Sequence, residues 1–243
     1  MRRPLALLAL CVLVLTAGCS ALGPGEVNEE DLSESVDHDW NTSANATIVL
    51  EKNRYRAVYR VSGTETIELY TPRRLDNREP VDPIGPAFRY PNGTVVNITA
   101  ADIETENGAR VVRLPAENGS LGFAARRSGT RVAVPTGVNG SYAVVLPEGG
   151  RVQYPLLGRV VPGGYERSVA GDGRVHLRWE DPRGDRVVVE YYLARDLLIL
   201  GGIVGIGAVA LLGGGVYFLL ALRRIRRRRD EVALDVETGD GQS

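Results

Sequence analysis

The chain has 243 residues, with 29 basic and 30 acidic side chains and a net charge of −1. Its arginines are interleaved with acids rather than gathered on one stretch of the central region, which excludes a nucleic-acid-binding role there. Cys11 and Cys19 are the only cysteines, so a disulfide, a catalytic thiol or a zinc–thiolate centre is excluded from everything beyond residue 19.

The N-terminus carries Arg2 and Arg3, an apolar run over residues 5–15, and then Thr16, Ala17, Gly18 and Cys19. A basic start, a short apolar core and small residues before a cut predict a signal peptide over residues 1–18. The apolar run is too short to cross a bilayer, which takes about 20 residues. The small residues ending in Cys19 resemble the lipobox of prokaryotic lipoproteins, and that resemblance implies a lipid on the Cys19 thiol.

Residues 19–45 read as a lipid-anchored acidic linker. Glu26, Glu29, Glu30, Asp31, Glu34, Asp37 and Asp39 follow one another with no intervening base. Such a stretch has too little apolar surface to offset the entropy of ordering. A short helix within residues 29–36 is compatible with it. As a flexible chain it would reach roughly 30 Å.

Residues 46–196 carry a β signal throughout. In residues 54–61 Tyr55, Ala57, Tyr59 and Val61 fall on one face, and residues 174–180 alternate in the same way. Period-two alternation predicts half-buried antiparallel strands. Further strands are expected near residues 66–70, 94–99, 110–114, 121–125, 130–134, 142–146, 151–154 and 186–193. Gly, Pro or Asn-Gly separates most of them, so the expected fold is all-β and extracytoplasmic. It takes the form of an antiparallel β-sandwich, immunoglobulin-like or divided into two small modules near residues 135–140. Residues 174–180 and 186–193 are expected to pair through a turn at 181–185.

Six Asn-x-Ser/Thr sequons, at Asn41, Asn45, Asn92, Asn97, Asn118 and Asn139, involve six of the ten asparagines. Each is a candidate glycan acceptor on an exposed loop. Asn92, Asn118 and Asn139 are also followed by Gly, the strongest short turn signal.

Residues 197–222 form an uncharged run of 26 residues. At about 1.5 Å per residue this helix spans about 39 Å, enough to cross a membrane with tilt. Arg223, Arg224, Arg226, Arg227, Arg228 and Arg229 follow it and predict a stop-transfer signal, with residues 223–243 as a cytoplasmic tail. Gly201, Gly205 and Gly213 offer a packing face toward another membrane protein.

Chemistry is sparse. His38 lies in the acidic stretch, and His176, flanked by Arg174 and Arg178, reads as a solvent-facing strand residue. No Gly-x-Ser-x-Gly, His-Glu-x-x-His or phosphate-loop motif occurs. No catalytic residue, metal site or cofactor is expected. The sequons, the lipobox-like cysteine, a single lysine (Lys52) against many arginines, and the arginine-rich stop followed by residues 230–237 resemble an uncharacterised family of haloarchaeal membrane-anchored surface proteins. That resemblance implies a single-pass cell-membrane protein with its β domain extracellular. A non-enzymatic binding or structural role in the envelope is the leading expectation. An accessory or sensor subunit of a membrane complex, and a surface enzyme acting on glycans, are the alternatives.

Overall fold

The computed structural model describes residues 27–73, 77–154 and 157–239. The chain divides into two compact units, one ending at Tyr192 and one starting at Leu193. Contrary to the two-module alternative, the β region is a single unit, and residues 136–140 are an internal loop of it.

A short helix, α1 (Glu29–Ser33), precedes β1 (Ala46–Leu50), β2 (Arg54–Ser62), β3 (Thr66–Pro72), β4 (Arg78–Pro80), β5 (Ile84–Arg89) and β6 (Val95–Asn97). A 3-10 turn then leads to β7 (Ile103–Glu106), β8 (Ala109–Arg113), β9 (Asn118–Arg126), β10 (Arg131–Pro135) and β11 (Tyr142–Val145). The remaining strands are β12 (Gly150–Arg151), β13 (Arg159–Val161), β14 (Glu166–Val169), β15 (Val175–Trp179), β16 (Arg186–Glu190) and β17 (Tyr192–Leu193). Helix α2 (Ala194–Gly239) closes the chain.

Eight strands form the large sheet, in the order β14-β15-β11-β1-β2-β9-β5-β6. One of its faces is the core. Ile48 and Leu50, Tyr55, Ala57, Tyr59 and Val61, Leu121 and Phe123, Tyr142, and Leu177 and Trp179 alternate onto it and are buried. Phe123 meets Tyr59 edge-on at 5.6 Å and Tyr55 at 6.2 Å, the orientation that aromatic quadrupoles favour. The smaller sheets, β10-β16-β13 and β4-β3-β8-β7, supply the rest of the domain. Ile67, Pro135 and Val138 share a cleft with Tyr59 and Tyr142 of the large sheet.

Three features depart from the sequence reading. First, β15 and β16 do not form a hairpin. The former pairs with β11 and β14, the latter with β10 and β13. In β15 only alternate residues are buried, whereas Val187, Val188 and Val189 of β16 are all buried. The two patterns belong to different environments, so residues 181–185 carry the chain from one sheet to the other. Thr136 holds that crossing, its Oγ1 donating to the Gly184 carbonyl at 2.7 Å and its backbone N–H to the Asp185 carbonyl at 3.1 Å.

Second, one ladder is parallel: β1 against β11. It starts at an interlock in which Asn45 Oδ1 accepts from Ser141 Oγ at 3.0 Å and from Ser141 N–H at 3.3 Å. Third, β1, β4, β5, β7, β13 and β14 were not among the expected strands. In β5 the Gly85-Pro86 step sits where the β5–β9 register shifts, a bulge that accommodates both residues.

The acidic stretch, read as a linker, is an ordered strap over residues 27–45 on the other face of the large sheet. Asn28 caps α1 through its Oδ1, which accepts from Glu30 N–H, and three acids in the first turn suit the helix dipole. Asp31 is buried and takes a two-pronged bond from Arg126, at 2.6 and 2.7 Å. Arginines of the outward face then hold the strap in turn. Arg54 donates to Glu34 at 3.1 Å, Arg56 to the Asp37 carbonyl at 2.8 Å, Arg60 to the Thr42 carbonyl at 3.0 Å, and Arg178 to Ser43 Oγ at 3.1 Å. Two of the acids, Asp31 and Glu34, are thus paired with arginines of the strands beneath, and strap carbonyls and a hydroxyl take the rest of the contacts.

Two glycines make room. A Cβ on Gly85, whose φ is +53°, would lie 2.3 Å from the Glu34 carbonyl oxygen. One on Gly122 would lie 2.8 Å from the His38 ring and 2.9 Å from Trp40.

Neighbouring residues of β9 therefore separate the two faces experimentally. Phe123→Ala should destabilise the domain by about 3–5 kcal/mol, read from the midpoint of chemical denaturation of the full chain in detergent. Gly122→Val should leave that midpoint less affected and instead open residues 34–45 to limited proteolysis. Equal protease resistance of this segment in Gly122→Val and wild type would contradict the strap's seat.

Candidate functional site on the strapped face

The strand registers place the outward-facing side chains in rows across the large sheet. One row runs His176–Val145–Val49–Arg56–Ala124, the next Arg178–Ala143–Thr47–Val58–Gly122–Ala87, and a third Arg60–Ser120–Arg89. Ser62 and Asn118 form the row beyond. The strap crosses these rows with His38 and Trp40 seated on Gly122. It leaves a cavity on one side and an open groove on the other.

The cavity, of about 310 Å³, lies among His38, Thr47, Arg56, Arg174 and His176 and the strap residues 39–43. His38 is only 7% exposed. Its Nε2 lies 2.9 Å from the Gly85 carbonyl oxygen, which can only accept, so Nε2 carries the proton and Nδ1 is a buried acceptor. Nδ1 has no partner, and neither have Thr47 Oγ1 and the buried Nε2 of His176. His176 is thus half-covered by the strap rather than solvent-facing. Three unpaired polar atoms around one cavity suit ordered water or a small polar molecule. Burial pushes the His38 imidazolium pKa below its ordinary value of 6.5. Arg56 acts in the same direction, while the Gly85 carbonyl and Asp37 oppose it.

The groove, of about 720 Å³, is larger and open. Trp40 and Tyr90 contribute half-exposed rings, each fixed from behind: Trp40 by His38 at 5.2 Å and 66°, Tyr90 by Phe88 at 5.2 Å and 85°. Arg60 and Arg89 supply positive charge, and among the described residues no carboxylate lines the groove. The remaining wall mixes amide and hydroxyl groups, including Asn45, Asn118 and Asn139, with glycine backbone and the apolar Val61, Pro91 and Val138. Such a wall can recognise a hydroxyl-rich, anionic molecule. Aromatic faces receive its apolar side, and guanidinium forks pair with its acid groups.

Three of the six sequon asparagines, Asn45, Asn118 and Asn139, thus converge on one surface. Asn41, Asn92, Asn97, Asn118 and Asn139 are exposed, whereas Asn45 is half-buried in its interlock with Ser141. Asn92 occupies the expected turn, where its Oδ1 accepts from Thr94 N–H at 3.0 Å. Asn118 does not. It opens β9 opposite Ser62, and Gly119 is needed because Phe88 would lie 2.3 Å from a Cβ there.

Gly201, Gly205 and Gly213 all lie exposed on α2. At about 100° per residue they spread over about 120° of its circumference, a broad surface rather than a narrow seam. Arg223, Arg224, Arg226, Arg227, Arg228 and Arg229 fall in the continuation of the same helix. Cys19 and the signal peptide lie outside the described residues.

Trp40, Tyr90, Arg60 and Arg89 escaped the sequence reading. One signal was present: His38 and Trp40 are bulky rings in an otherwise acidic stretch, which a solvated linker does not require. At 181–185, where oxygen ligands for calcium could be imagined, the Asp185 carboxylate is engaged by the Arg186 guanidinium at 2.6 to 3.1 Å. Among the described residues no group of three or more His, Asp or Glu is placed to hold a metal ion.

The sequence model of DUF5803, a family of unknown function, matches residues 42–237, well over half of the chain. The chain belongs to the DUF5803 family. The match takes in the whole β region from the end of the strap and nearly all of α2, so in this family the β unit and the helix form one sequence unit. It includes Arg60, Arg89, Tyr90, Asn118 and Asn139, and stops short of His38 and Trp40. No curated protein matches the chain.

The His38 environment sets a pH dependence. A depressed imidazole pKa means that the detached strap binds a proton more readily than the docked one. Docking is then at full strength above pH 6.5 and weakens as pH falls from 6.5 toward the lowered value. The charged and titratable groups around it are Asp37, Asp39, Arg56, Asp172, Arg174 and His176. Hydrogen exchange of residues 36–43 should therefore be faster at pH 5 than at pH 7.5 after correction for intrinsic rates. His38→Phe should flatten the difference, and a difference that persists in His38→Phe would assign the effect elsewhere.

Proposed function

We propose that the protein is a cell-surface protein held in the membrane by α2, with its β domain outside, its C-terminal tail in the cytoplasm, and a non-enzymatic binding role for the strapped face. The observation that carries the reading is the passage from β17 into a helix whose segment Ala194–Leu220 has a mean hydropathy of 2.3 and no buried residue. An apolar surface of that length has no stable place in water and is long enough to cross hydrocarbon. The arginines after it favour a cytoplasmic tail. The exposed sequons favour an exported domain. The lipobox-like sequence favours a lipid on Cys19 as a second anchor.

Binding is supported by the character of the groove. Its polar wall is arginine, amide and hydroxyl, chemistry that holds a molecule. The resemblance to haloarchaeal surface proteins agrees with this placement.

Protease treatment of intact cells tests the topology. An epitope in the β3–β4 region should be lost from whole cells, while a tag after Ser243 should survive until the cells are opened. Cys19→Ser should leave the protein in the membrane fraction, because a spanning helix holds far more strongly than one acyl chain. Survival of the β-domain epitope on intact cells, or release of Cys19→Ser into the medium, would overturn the reading.

A further inference from the structure

We propose that the groove beside the strap is the seat of a saccharide carried by the chain's own Asn118, folded back so that its inner sugars lie on Trp40 and Tyr90 and an acidic sugar among them pairs with Arg60 and Arg89. This rests on the reading that the sequons are used.

The first support is placement. Asn118 and the third residue of its sequon, Ser120, point to the same face of β9. Ser120 stands between Arg60 and Arg89 in one cross-strand row. Residues two apart on a strand are about 7 Å from each other. A sugar on Asn118 therefore begins about one sugar length from the two guanidiniums.

The second is the free valence of the groove. Arg60 spends one N–H on the Thr42 carbonyl. Arg89, half-buried, makes no hydrogen bond or ion pair among the described residues, although the other arginines of this face are engaged with the strap or with backbone carbonyls. Guanidinium has five donors in a planar fork suited to carboxylate or sulfate. With no acid in the lining, an anionic occupant has no repulsion to overcome.

The third is the state of the three asparagines. The Asn45 amide is wedged against Gly140, with atoms 2.9 to 3.2 Å from that residue's Cβ position, and it locks β1 to β11. Its role is structural. Asn118 is exposed, and its Oδ1 accepts from Ser62 Oγ at 3.1 Å, which orients the amide while Nδ2 stays free for attachment. Asn139 is exposed on a loop at the far wall and does not share the arginine row.

The modification itself is an ordinary glycosyl transfer. Asn118 Nδ2 attacks the anomeric carbon of a saccharide activated as a phosphate ester, on a membrane carrier. The C–N bond forms, the C–O bond to phosphate breaks, and phosphate leaves with the electron pair. The amide proton passes to a base of the transferring enzyme.

The test uses the full chain purified from membranes of its native host. Glycopeptide mass spectrometry should find Asn118 occupied and Asn45 bare. The chain has two tryptophans. Trp179 is buried, its Nε1 donating to the Pro162 carbonyl, so acrylamide quenching of fluorescence reports Trp40. Asn118→Gln, and Ser120→Ala, which removes the sequon with Asn118 in place, should both increase quenching and shift emission to the red. Asn97→Gln, outside the groove, should not. Arg89→Ala, which leaves Arg60 on the strap, should leave the glycan mass on Asn118 yet increase quenching, together with faster periodate oxidation of the sugar. A glycan on Asn118 with quenching and oxidation unchanged in Arg89→Ala would overturn the seat while leaving glycosylation standing. A bare Asn118 with other sequons occupied would overturn this assignment alone, and bare sequons throughout would overturn the underlying reading as well.

Discussion

The strapped face depends on how closely a segment of backbone can approach the large sheet. At Gly85 and Gly122 the strap lies where side-chain carbon would have to be. Removing two Cβ atoms lets the Glu34 carbonyl, the His38 ring and the Trp40 ring settle on the strands. Both ends of the strap are then pinned, by Arg126 on Asp31 and by the Asn45–Ser141 interlock. With the strap down, the sheet's second face is divided into an enclosed cavity and an open groove. Without it, that face would be a continuous mixed surface with neither.

Arginine is suited to this arrangement where lysine is not. Arg54, Arg56, Arg60 and Arg178 each project from a strand and reach a carbonyl, carboxylate or hydroxyl of the strap. A planar fork can satisfy a strap oxygen with one N–H and a neighbouring group with another, as Arg54 does with Glu34 and Glu51. Pairs this exposed each contribute little. Their collective effect is positional, fixing the register in which the strap crosses the rows. Arg89 lies in the same face beyond the strap's reach, and that difference in engagement distinguishes the groove from the rest.

The second unit follows a different physical rule. The β region is held by alternation, with one face of the large sheet turned to the smaller sheets. Helix α2 has no alternation to exploit, and its segment Ala194–Leu220 presents apolar residues all round. The family match runs across both, so the alternating β region and the apolar helix belong to one sequence unit.

Much of this was determined by the sequence alone. Tyr55, Ala57, Tyr59 and Val61 announce a buried face because side-chain direction on a strand alternates whatever lies above it. An uncharged run as long as residues 197–222 announces a helix long and apolar enough to cross a membrane, because length and hydropathy are read directly from linear order. Only the tertiary structure decided the rest. Val187 to Val189 could not reveal that β16 belongs to another sheet, since pairing partners are chosen by long-range packing. The bulge at Gly85-Pro86 could not be read from the sequence, because a bulge is defined by the partner strand. The acidic stretch looked unfoldable because the arginines that pair with its acids, Arg54 with Glu34 and Arg126 with Asp31, lie 20 and 95 residues away in the chain, and proximity in space is the one property of a charge pair that linear order does not encode. Arg60, Ser120 and Arg89 are likewise scattered in sequence and adjacent only through the β2–β9–β5 register, so a groove built from them was visible only once the ladders were formed.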